Sequence, residues 1–160
     1  MSNQRVSIPG SEPEARFQQR WVSDVDPSAV ITATVMLRRR SSSAQDLLSG
    51  DYHPASRAQA EEELTASPED VEAARVFAEQ HGIKILDADA ATRRVRIEGA
   101  AKQMEDAFGV QIGTAEDASG HRFITYKGAI TLPSQLSNIV VAVLGLDQRP
   151  VARHAGPDAQ

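Results

Sequence analysis

The residues of this chain that could do chemistry are its histidines, its carboxylates and its small hydroxyl side chains. His53, His81, His121 and His154 are scattered along the sequence, whereas a zinc site needs His or Cys at short spacing with a third ligand nearby. The nucleophile elbow Gly-x-Ser-x-Gly of a hydrolase is absent. We therefore predict that this chain carries no catalytic residues and is not an enzyme.

A cation site is the next possibility, at Asp87 and Asp89. Asp-x-Asp without a following Gly and Glu is a weak indication of calcium, and Asp also favours a hairpin turn on conformational grounds. Four glycines mark the ends of elements and form no phosphate-binding loop: Gly99, Gly109, Gly113 and Gly120. We expect neither a metal nor a cofactor in this chain.

The composition excludes further classes of function. A chain of 160 residues fits one domain, and its net charge of −5 disfavours nucleic-acid binding. We interpret the basic run 38–40 as a solvated strand end. The absence of cysteine excludes disulfides, and no segment approaches the ~20 apolar residues of a membrane span. Residues 1–19 lack the apolar core of a signal peptide. From the net charge and the missing membrane span, we expect neither nucleic acid nor a membrane as partner.

Hydrophobic periodicity predicts an alternation of strands and helices. The predicted elements are a strand over 31–37, a helix from Ser67 to His81, a hairpin over 83–87 and 93–98, a short helix over 100–108, and strands over 110–112 and 121–127. A short helix is also plausible over 57–64. The order predicts an α+β, ferredoxin-like β-α-β-β-α-β antiparallel sheet with both helices on one face and an extra hairpin strand.

The C-terminal part predicts one more helix. Leu136, Ile139, Val140, Val143 and Leu144 follow helical spacing, with Pro133 suited to the helix start and Gly145 to its end. The predicted elements divide the chain into three parts. Residues 1–27 form a flexible leader, from which Phe17, Trp21 and Val22 dock on the domain. Residues 28–147 form the domain, and 148–160 form a linker.

Several segments also resemble a known family. The matching residues are Ser67 to Val71, Ala78 to Gly82, Ala107 to Val110, Leu132-Pro133, Leu136, Val140, Val143 to Asp147 and Arg149-Pro150. In this order they resemble the activation prodomains of sedolisin-type (kumamolisin-type) serine-carboxyl peptidases, over roughly Asp26 to Arg153.

The resemblance implies a function without catalysis. It implies an intramolecular chaperone and inhibitor, released by acid, of a sedolisin-type catalytic domain that lies elsewhere and would hold any calcium. It also implies a secreted or periplasmic precursor. The alternative is a free-standing ferredoxin-like domain that binds proteins or small ligands.

Two candidate sites follow. Since the helices cover one face of the sheet, the opposite face is solvated or docks a partner. We place Thr32, Thr34, Met36, Arg94, Arg96 and Glu98 on that face, as peptidase contacts. The resemblance implies that the linker enters the active-site cleft, as an extended segment made of Gln148, Arg149, Pro150, Val151, Ala152, Arg153 and His154.

Overall fold

The structure is a computed structural model, and it describes residues 4–13, 19–40 and 64–149. Most of the short helix predicted over 57–64 lies outside these residues. The described elements, in chain order, are β1 (Arg5–Ser7), β2 (Arg20–Asp24), β3 (Val30–Leu37), α1 (Pro68–Gln80), β4 (Lys84–Asp89), β5 (Arg94–Ala100), α2 (Ala101–Phe108), β6 (Gln111–Glu116), β7 (Arg122–Lys127), β8 (Thr131–Pro133) and β9 (Val140–Leu144).

The main sheet has the strand order β4-β5-β3-β9, with every pair antiparallel. Two smaller sheets join β2, β6 and β7, and β1 with β8. The predicted α+β, ferredoxin-like class is confirmed. A ferredoxin-like order would place β6 in the main sheet. Instead, β9 pairs with β3 there, and β6 pairs with β7 in the sheet of β2, β6 and β7.

Local chemistry explains both described helices. Ser67 caps α1 by accepting a hydrogen bond from the Asp70 amide, at 3.1 Å, and Pro68 follows in the first turn. Before α2, the Gln103 side chain accepts from the Ala100 amide at 2.8 Å. Gly109 ends α2 at φ 66°, a conformation that glycine adopts without strain.

The core lies between the main sheet and these helices. On β3 the buried residues alternate with accessible ones, and Val35 and Ile97 of the sheet pack towards Phe77 of α1 and Phe108 of α2. The Phe77 and Phe108 ring centroids lie 5.9 Å apart. The other face of the main sheet is consequently left without a helix in the described residues.

The predicted C-terminal helix is wrong. Residues 134–139 form turns, in which the amides of Leu136 and Ile139 donate to Pro133 and Leu136, and Val140–Leu144 is strand β9. Three of the five residues of β9 are β-branched valines, which suit a strand. A helix here would also leave the backbone of β3 unpaired along one edge, whereas β9 satisfies it.

Two strands lie within the predicted leader. β1 pairs with β8, and β2 pairs with β6 through Trp21 opposite Ala115. Trp21 also lies against Gly113, where an added Cβ would be 2.1 Å from the indole ring, and the Lys127 ammonium sits 4.0 Å from the ring centroid. Phe17 lies outside the described residues. The described strands of residues 4–27 are thus paired with the domain, and the boundary at 27 stays a prediction.

Gly113→Ala tests this packing. The new methyl group would displace Trp21 from β6, because the indole occupies its place. We expect a loss of about 1–3 kcal/mol of unfolding free energy and a changed fluorescence spectrum from Trp21, the single tryptophan. Thr114→Ala on the same strand is the control. Unchanged fluorescence in Gly113→Ala would contradict the packing.

Candidate functional site

The six residues predicted for the open face meet there in three cross-strand pairs. Along β3 and β5, Thr32 lies opposite Glu98, Thr34 opposite Arg96, and Met36 opposite Arg94. None of the six is buried, whereas the alternating residues of both strands form the core. The structure therefore brings the predicted residues together as one patch, although it does not test what they bind.

The charges of this face are balanced. Strand β4 adds Lys84 opposite Glu98, Asp87 opposite Arg96 and Asp89 opposite Arg94. Among the described residues, neither Arg94 nor Arg96 has a carboxylate within salt-bridge distance. Arg94, at the start of β5, helps to lower the pKa of Asp89 through its charge, but neither guanidinium forms a close ion pair there. Both can therefore pair with carboxylates of a partner.

Strand β9 supplies the apolar side of the same face, and the sequence prediction missed it. Ala142 lies opposite Met36, and Leu144, 53% exposed, lies opposite Thr34. The helix predicted over residues 136–144 leaves these side chains off the sheet. The run Val140–Leu144, rich in β-branched residues, is the signal that could have identified them.

The start of the predicted linker contacts the sheet formed by β2, β6 and β7. The Gln148 amide donates to the Ile124 carbonyl at 2.7 Å, and the guanidinium of Arg149 lies 4.7 Å from the Phe123 ring centroid. Arg149 also donates to the Gln19 side chain. The other predicted linker residues, Pro150, Val151, Ala152, Arg153 and His154, lie outside the described residues.

Arg149→Ala tests the anchor. Without its contacts to Phe123 and Gln19, the end of the domain should loosen, so that the Gln148 amide exchanges its hydrogen at least about 10-fold faster by NMR. Arg122→Ala is the control, since it removes an arginine of the same sheet, 63% exposed, that pairs with Glu116. Equal exchange of the Gln148 amide in both variants would contradict an anchoring role for Arg149.

Two further arginines hold the elements behind the face together. Arg38, which directly follows β3, forms a bidentate ion pair with the buried Asp70 of α1. Its Nε and Nη2 donate to Oδ2 and Oδ1 at 2.9 and 3.3 Å. The Arg38 side chain remains 48% exposed, as predicted for a solvated strand end, and forms this ion pair as well. Arg5 donates to the Ala107 carbonyl at 2.6 Å, and so caps the C-terminal end of α2.

The residues first considered for chemistry have local structural roles where they are described. His81 Nδ1 lies 2.9 Å from the Phe77 carbonyl at the end of α1, and His121 Nδ1 lies 2.8 Å from the Ser119 hydroxyl. Asp89 accepts from the Ala91 amide and the Thr92 hydroxyl, in the turn role that the sequence favoured. His53 and His154 lie outside the described residues.

Several carboxylates are stabilised in their charged form. A hydrogen bond from Arg20, supported by the charges of Arg20 and Arg122, lowers the pKa of Glu116 below its ordinary 4.5. Hydrogen bonds from Ser119 and Thr92 lower the pKa of Asp117 and Asp89 below the ordinary 3.8. A carboxylate with a lowered folded pKa stabilises the fold above its unfolded pKa, and this contribution is lost as pH falls through the folded value.

Acidification should therefore weaken the fold, and Glu116→Gln isolates one contribution. We expect this variant to be less stable than the unaltered chain at neutral pH, with the difference shrinking as pH falls below about 4.5. The measurement is the urea midpoint at several pH values. A difference that stays constant down to about pH 3 would contradict a role for the Glu116 charge.

Comparison with known proteins gives the family. Residues 18–149 match the model of the pro-kumamolisin activation domain. The chain is 34% identical over 88 residues to kumamolisin of Bacillus sp. (strain MN-32), an alignment that covers 55% of this chain and 16% of that protein. No described helix is long and apolar enough to cross a membrane. The family match spans both helices and the whole main sheet, and the chain belongs to the pro-kumamolisin activation domain family.

Proposed function

We propose that this chain is the regulatory propeptide of a sedolisin-type serine-carboxyl endopeptidase, and that it acts as its intramolecular chaperone and its inhibitor. The propeptide has no catalytic residues, and the peptidase domain contributes the chemistry. The family match carries the proposal, because activation domains of this kind belong to peptidase precursors. Since the chain spans 16% of kumamolisin, the activity of that whole protein is proposed here as the partner's activity.

The open face of the main sheet is the proposed peptidase-binding surface. Its composition fits a partner, because an apolar side at Met36 and Leu144 adjoins the accessible cations Arg94 and Arg96. Interfaces combine such apolar centres with charged groups that set orientation. A free-standing small-ligand domain is less well supported, because the family match is to an activation domain of peptidase precursors.

Acid release follows from the charges. At neutral pH the chain carries a net charge of −5, with 22 acidic against 17 Lys and Arg side chains. Protonation of carboxylates below about pH 4 makes the chain positive and removes the contributions of Glu116, Asp117 and Asp89 to its stability. The proposed propeptide would therefore loosen in acid, and if the peptidase domain also becomes positive there, attraction between the two turns to repulsion. Such a precursor would act outside the cytoplasm, after export.

Refolding in trans tests the chaperone part. Mature kumamolisin, denatured and then diluted with this purified chain, should recover more activity than without it, once the mixture is acidified to release the propeptide. An unrelated folded acidic protein at equal concentration is the control. Equal recovery with both proteins would overturn the chaperone role.

A further inference from the structure

We propose that the free edge of β9 accepts an extended, uncharged segment of the peptidase as a fifth strand of the main sheet. The inference rests on the proposed function and extends its interface beyond the open face. β9 is the last strand of its sheet, and among the described residues only β3 pairs with it. An edge of this kind presents unpaired amides and carbonyls to any strand that reaches it.

A groove of about 450 Å³ runs beside this edge. It is lined by Val141–Gly145 and Asp147, by Ile8–Ser11 and Pro13, and by Tyr126 and Ile130. The N-terminal part of the lining is held in place, because the Ile8 amide donates to the Ile130 carbonyl at 2.8 Å and the Ile130 amide donates to the Ser11 hydroxyl at 2.9 Å. The groove is therefore a formed feature of the fold.

The two edge strands of the main sheet, β4 and β9, differ in charge. This difference favours β9 as the strand that pairs with the peptidase segment. The edge strand β4 carries Lys84, Asp87 and Asp89, charges of the kind that keep other strands away. β9 has the sequence VVAVL, with no charge and no proline. A bulge shifts its register to β3 at Val141, whose side chain is 52% exposed. An uncharged edge that is left accessible favours an uncharged partner strand.

The groove adjoins the open face, since Ala142 and Leu144 belong to both. A peptidase that covers the face is thus positioned to place a strand in the groove.

Val141→Lys tests the inference, because a lysine at an exposed edge position opposes strand addition while its side chain can remain in solvent. Val76→Lys, at a valine of α1 that is 39% exposed, is the matched control. We expect Val141→Lys to weaken inhibition of mature kumamolisin about 10-fold or more and Val76→Lys to leave it within about 2-fold. Hydrogen exchange at residues 141–144 of the unaltered chain should slow in the complex.

Each other outcome overturns the inference. Full inhibition by Val141→Lys, with unslowed exchange at residues 141–144, would overturn the groove and leave the proposed function standing. Failure of the unaltered chain to inhibit would overturn both, and this is measured before the variants are compared. A dimer of the free chain that Val141→Lys abolishes in sedimentation would assign the groove to a second copy.

Discussion

Thr34→Arg is expected to weaken inhibition of kumamolisin by about 100-fold, or about 2.7 kcal/mol of binding free energy. Thr34 lies on β3 near the middle of the open face, between Arg96 on one side and Leu144 on the other. A long, charged side chain there would hold the partner surface away from the apolar side, and its guanidinium would compete with Arg96 for any carboxylate that pairs with Arg96. Contacts near the centre of an interface usually contribute most to binding.

The control variant places the same arginine side chain on the helices, which cover the opposite face of the main sheet. Gln80 is exposed at the end of α1, and Gln80→Arg should inhibit as the unaltered chain does. Circular dichroism and the urea midpoint establish that both variants fold. If folded Thr34→Arg inhibits as well as Gln80→Arg, the open face is not the peptidase-binding surface.

Phe108→Ala should cost about 3–5 kcal/mol of unfolding free energy, the largest effect on stability that we expect. Phe108 is fully buried at the end of α2 and lies against Phe77 of α1, so its loss leaves a cavity between both helices and the sheet. Since domains of this size are stable by about 5–15 kcal/mol, a substantial fraction could unfold at 37 °C. Inhibition at 37 °C should fall in proportion to the fraction of the chain that is unfolded.

Trp21 fluorescence during urea unfolding measures this effect. Val76→Ala removes an apolar side chain from an accessible position of α1 and should change the unfolding free energy by less than about 0.5 kcal/mol. Equal stability of the two variants would contradict the core as described.

The elements from β3 to β7 could be predicted because their signals are local. Ser67, Pro68 and Gly82 mark the ends of α1, and the alternation of β3 and β5 marks their buried sides. The open face followed from that alternation, because residues of a strand two apart share a face. Its three cross-strand pairs then depend only on the register of β3 and β5.

The segment from Leu136 to Leu144 could not be assigned in this way. Its apolar residues fit the spacing of a helix as well as a short buried strand, and periodicity cannot separate the two over so few residues. The free edge of β3, a long-range feature of the fold, decides between them. The pairing of β2 with β6 and the anchoring of Arg149 are likewise contacts between distant residues, which local patterns do not report.

The central claim is tested most directly by the inhibition constant of this purified chain against mature kumamolisin, measured at about pH 6 and again at about pH 3.5. The account predicts tight inhibition at the higher pH and at least about 10-fold weaker inhibition at the lower pH, as carboxylates of the chain are protonated. Absence of inhibition at both values, by a chain that circular dichroism shows to be folded, would contradict it.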